Sequence, residues 1–155
     1  MNAAESSRRE VSGSALVLVA DHARVRLFAV PVPGAPLQEI EDLVNPSARQ
    51  HEGDIVSDRS GHLDKGQHGG SSAGSEDGAK KHQADQFAKR AGDRLTALLA
   101  TGAYRRICLV AEPGFLGLLR PHLSTAAQRA VVSEIAKSMA GKPTAEIRSI
   151  LPKSV

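Results

Sequence analysis

Two stretches of the chain are apolar at every position: Ala15 to Ala20 reads ALVLVA and Ile107 to Ala111 reads ICLVA. A strand with one wet face alternates apolar and polar side chains, whereas an unbroken run marks a strand covered on both faces. Both runs are therefore expected to be central strands, adjacent and parallel. Arg24 to Val30 alternates in its first half, with Val25, Leu27 and Ala29 on one side. Only Asp21, His22 and Ala23 separate it from the first run, too few residues for a crossover, so the two are expected to pair as an antiparallel hairpin. The second strand should be less completely covered than the first. After the break at PVPGAP, Leu37 to Leu43 reads as a more polar edge strand.

The period then changes. Ala84, Phe87, Ala91, Leu95 and Leu98 form one apolar stripe at helical spacing within a segment that Gly78 precedes and Gly102 ends. Glu112 and Pro113 open a short helix, with Phe115, Leu118 and Leu119 facing inward. Ala130 to Met139 fits a helical stripe (Val131, Ile135, Met139) and also a strand; the recurrence of strand–helix–strand units favours the strand. Thr144 to Leu151 closes the chain as a helix. The order β-β-β-α-β-α-β-α predicts an α/β fold with a ribonuclease H-like mixed sheet, an analogy of fold that licenses no activity.

Between Asn45 and Gly78 the periodicity fails. These 34 residues hold 7 of the 14 glycines and 3 of the 6 histidines, with six acidic side chains against three basic. Such a length is expected to be a flexible, exposed loop after the third strand. Residues 1–13 are small and polar and are expected to be a disordered arm. The remaining 14–155 is one domain, in keeping with a total of 155 residues. The overall charge is +3, and because the glycine-rich stretch is net acidic, the basic character belongs to the folded part.

Composition removes several functions. Three Phe, one Tyr and no Trp are too few for a base-stacking platform. One cysteine, Cys108, allows neither an internal disulfide nor a CxxC motif and is expected to be an inert core residue. The N-terminus has no apolar core of a secretory signal and no run reaches the ~20 residues of a membrane span, so a cytoplasmic location is expected. There is no Walker loop, GxGxxG turn or GxSxG elbow, and no cofactor is expected. His51, His62, His68 and His82 stand 11, 6 and 14 residues apart, which matches no zinc pattern, so no metal site is expected from them.

Two constellations remain. Lys80, Lys81, His82, Lys89, Arg90 and Arg94 face only Asp85 and Asp93 on the long helix, a basic surface of the kind that phosphates favour. Lys81, Asp85 and Lys89 stand at i,i+4 steps, so part of this charge is expected to be paired internally. Asp21 ends the first strand and Glu112 the fourth, and adjacent parallel strands bring both to one sheet edge. With a third carboxylate from Asp58 or Asp85 they could hold metal ions for phosphodiester cleavage. Each also has a local explanation, Asp21 as a turn residue and Glu112 as a helix-start residue.

LVADHARVRLF, the spaced LVNP and DIVSDRSG, HQADQFAKRAGDRL and LVAEPGFLGLLRPHLS occur in that order. Together they resemble the bacterial host-attachment protein family, over nearly all of Ala15 to Leu151. That family is named for a phenotype rather than a chemistry, and is distantly similar to the middle domain of archaeal and eukaryotic peptide-release factors and of pelota. In release factors a Gly-Gly-Gln tripeptide on the loop before the long helix serves peptidyl-tRNA hydrolysis. Here the matching place reads Gly69-Gly70-Ser71. The resemblance thus implies the loop without the amide, and hydrolysis is not carried over. Taken with the basic face of the long helix, a non-enzymatic domain that binds RNA or a ribosome-associated partner through Lys80, Lys81, His82, Lys89 and Arg90 is expected. The alternatives are a metal-dependent nuclease acting through Asp21 and Glu112, or a protein-interaction module in stress or host colonisation.

Overall fold

The computed structural model describes residues 14–47 and 69–155, with the backbone alone for 69–77. The expected N-terminal arm and most of the expected loop lie outside the described residues. Strands β1 (Ala15–Ala20), β2 (Arg24–Val30), β3 (Gln38–Val44), β4 (Arg106–Ala111) and β5 (Val131–Ile135) form one sheet in the order β3-β2-β1-β4-β5. β1 runs antiparallel to β2 and parallel to β4, with Ala15 opposite Arg106 and Ala20 opposite Ala111. β3 and β5 are the edges. This is the mixed α/β sheet that the hydrophobic pattern predicts, and it is compatible with a ribonuclease H-like layout.

The unbroken apolar runs are explained by two cores. Leu16, Leu18, Ala20, Ile107, Leu109 and Ala111 enter one, beneath helices α1 (Gly69–Ala100), α2 (Pro113–Leu119) and α3 (Thr125–Ala130). Val17, Val19, Cys108 and Val110 enter the other, closed by Ile147 of α4 (Thr144–Ile150) together with Leu151 and Val155. Every residue of β1 is fully buried. At roughly 1.5–3 kcal/mol for each large apolar side chain removed from water, these two strands are the energetic centre of the fold.

Four expectations need correction. β2 is not less covered: Val25 to Val30 are all buried, because Phe28 and Val30 enter the second core. In α2 it is Leu116, with Phe115 and Leu119, that is buried, and Leu118 is only partly so. The pattern also missed α3, which Ser124 caps by accepting a hydrogen bond from the Ala127 backbone N–H at 3.1 Å.

The fourth correction bears on function. α1 begins at Gly69, so Gly69, Gly70 and Ser71 form its first turn rather than a loop, and residues 72–78 are helical as well. Glycine costs about 1 kcal/mol relative to alanine in a helix interior. Extension from turns already fixed by packing gains a backbone hydrogen bond per residue without a new nucleation step, which offsets that cost. The helix has 32 residues and is about 48 Å long. Gly102, at φ +80°, ends it in a conformation that a side chain would strain.

Candidate nucleic-acid interface

Phe87, Ala88, Ala91 and Leu95 seat α1 on the sheet, and Gly92 lets it approach closely: a Cβ there would lie 2.8 Å from both the Cβ and the carbonyl oxygen of His122. Phe87 meets Phe115 edge-on, with centroids 6.2 Å apart. Phe115 lies just beyond the end of β4, so the turns of α1 before Phe87 run out past the carboxyl edge of the sheet. Every residue from Gly78 to His82 is exposed. Lys80 shares the azimuth of Phe87 to within about 20°, since seven residues are nearly two turns. It is wet because the apolar stripe has outrun the sheet.

Salt bridges divide the cations of α1 into two groups. Arg94 is bound to β3, its Nε 2.6 Å from Glu41 Oε1. Lys89 reaches Asp93 one turn on, at 3.1 Å. The expected ladder Lys81–Asp85–Lys89 does not form, because Asp85 instead meets His122 Nε2 at 2.9 Å. Both carboxylates on the described helix surface are therefore occupied, and Lys80, Lys81, His82 and Arg90 have no acidic partner among the described residues. Arg90 also borders a groove of about 360 Å³ that runs between α1 and β3, lined by Leu43, Asp93, Arg94 and Ala97. A groove of about 600 Å³ at the opposite edge, along β5, contains the Arg120–Glu134 pair. The hydrogen bond from Arg120 holds the Glu134 carboxyl below its usual range.

The two strand-end carboxylates share the sheet edge, as their positions predict, but each is already engaged. Asp21 Oδ1 accepts from the backbone N–H groups of Ala23 and Arg24, both at 2.8 Å, and thereby shapes the β1–β2 turn. Glu112 Oε1 lies 3.1 Å from His22 Nδ1 and accepts from the His22 backbone N–H at 3.3 Å. His22 was not marked by the sequence pattern; its place beside Asp21 at the hairpin tip was the available signal. Asn45 Nδ2 donates to the His22 carbonyl oxygen and fixes the tip from the other side. Among the described residues no group of three His, Cys, Asp or Glu side chains is placed to hold a metal ion. Asp58, His51, His62 and His68 lie outside the described residues. Burial pushes the Cys108 thiol up to about 11, against a lowering hydrogen bond from Ser133.

Among the described residues no helix is long and apolar enough to cross a membrane. In structure the chain is similar to the crystal structure of the archaeal translation termination factor aRF1, with a TM-score of 0.56 and 10% identity over 96% of this chain and 38% of that one. A structure described as an archaeal protein gives 0.55 and 12%, over 96% and 37%. At such identities the likeness is one of fold, and this chain spans under two fifths of either. No curated protein matches the sequence. A family model described as "Protein required for attachment to host cells" matches residues 16–151, nearly the whole domain. The chain belongs to that host-attachment family.

Proposed function

We propose that this host-attachment family member is a non-enzymatic binding domain for RNA or a ribosome-associated partner, and that the exposed cations of α1 make the contact. One observation carries the reading. Among the side chains described, Asp93 of α1 is taken by Lys89, Asp85 of α1 by His122 and Glu41 of β3 by Arg94, which leaves Lys80, Lys81 and Arg90 without acidic partners among the described residues. Unneutralised lysine and arginine side chains on a rigid helix gain affinity for phosphates by releasing counterions. The fold likeness to an archaeal translation termination factor favours an RNA-rich setting over other polyanions.

The reading assigns no catalysis. Ser71 follows Gly69-Gly70 where release factors carry glutamine, so peptidyl-tRNA hydrolysis is not proposed. Asp21 and Glu112 are spoken for by the turn and by His22, which weakens the metal-dependent nuclease. Filter retention of labelled ribosomal RNA by the purified protein tests the reading. Retention at low salt that fades between 50 and 200 mM is expected. No retention at low salt would favour the protein-interaction module instead, and Mg²⁺- or Mn²⁺-dependent cleavage would restore the nuclease.

A further inference from the structure

We infer that the ligand of α1 is double-stranded RNA, held through its phosphates, and not an unstacked single strand; this rests on the RNA reading above. The aromatic residues decide it. The chain has four, and the three phenylalanines are buried. Phe28, Phe87 and Phe115 are at most 3% exposed, and Tyr104 packs against the core beneath α1. Single-strand binders stack bases on such rings and gain roughly tenfold in affinity per base. Three of the four rings build the core, and the half-buried Tyr104 lies beyond the C-terminal end of α1, away from Lys80 and Lys81.

The placement of the cations points the same way. Lys80 stands about 15 Å along the helix axis from Arg90, since ten residues rise 1.5 Å each, and about 80° from it around the axis. A helix docked on the sheet fixes that spacing. A duplex presents phosphates at equally fixed positions and high charge density, so two rigid arrays meet without ordering either. A flexible single strand would have to be ordered on contacts that offer it no stacking in return. Phosphate contacts read no base edges, so binding should be indifferent to sequence.

The experiment compares a 20-base-pair RNA duplex with one of its strands, unstructured by design, by fluorescence anisotropy of the full chain at several salt concentrations. The duplex should bind at least tenfold more tightly than the strand. With three contacts and a slope of about −0.9 per phosphate, its affinity should drop roughly 40-fold from 50 to 200 mM salt. Single-strand binding equal to or tighter than duplex binding overturns the inference and leaves the RNA reading standing. Binding of neither overturns both. The exposed-site variant K80A/K81A, with its circular dichroism unchanged, should lose most of the duplex affinity; full retention would also overturn the assignment.

Discussion

Arg26 lies in the middle of β2 and is only 7% exposed. Its guanidinium reaches Glu39 through Nε at 2.8 Å and the carbonyl oxygens of Ala140 and Lys142 through Nη1 at 3.2 and 2.7 Å. It also sits 5.1 Å from the centroid of the Phe28 ring. One side chain thus joins an edge strand to the segment before α4. Arg26→Ala strands two carbonyls and Glu39, and should cost about 2–4 kcal/mol in urea unfolding. Glu39→Gln keeps an oxygen for one Arg26 N–H and leaves both carbonyl bonds in place, and should cost less, about 1–2 kcal/mol, for a guanidinium left without its counter-ion. Gly92→Ala should cost about 1–3 kcal/mol, since the 2.8 Å contacts of its Cβ with His122 force α1 and the turn at His122 apart. A variant as stable as the parent would show that this approach is looser than the structure has it.

At the scale of elements, β3 explains why the free cations of α1 could not be picked out from the pattern alone. Its three carboxylates bind Arg26, Arg94 and Arg24, the last with Nη2 2.7 Å from Asp42 Oδ2. Arg94 belongs to the basic helix in sequence and to the sheet in space, and no local period shows that. The central strands were legible because burial on two faces leaves an unbroken apolar run. α1 was legible over its packed turns and not over Gly69–Gly78, where propagation from a packed helix overrides composition. Both edge strands carry a bulge, at Ile40 and at Val132, and in each the extra residue is an exposed apolar one. A bulge twists an edge away from pairing, a long-range device that periodicity does not reveal. The edges also predict acid behaviour. Hydrogen bonds from Arg24 and Arg120 hold the Asp42 and Glu134 carboxyls below the usual range. A depressed carboxyl stabilises the fold above its unfolded value near 4, and that stability is lost as pH falls towards the folded value. Both side chains are at least a third exposed, so each contributes well under about 1 kcal/mol. Melting temperatures should be flat from pH 7 to 5 and fall below about 4, with a shallower fall in Asp42→Asn with Glu134→Gln.

For the molecule as a whole, the two cores fix the sheet, the sheet fixes the last turns of α1, and the earlier turns stand out past its carboxyl edge with their cations exposed. The candidate site is a consequence of helix length: a helix ending at the sheet margin would hold Phe87 and present neither Lys80 nor Lys81. The carboxylates at the same margin are engaged by His22 and by the β1–β2 turn. The central claim is that the exposed cations of α1 contact phosphate. The most direct measurement is RNA affinity against salt concentration for the parent chain and for K80A/K81A, both shown to be folded. The account predicts that the double change lowers the magnitude of the log–log slope by about two units and weakens binding most at low salt. An unchanged slope and affinity would contradict it and leave α1 an ordinary solvated helix.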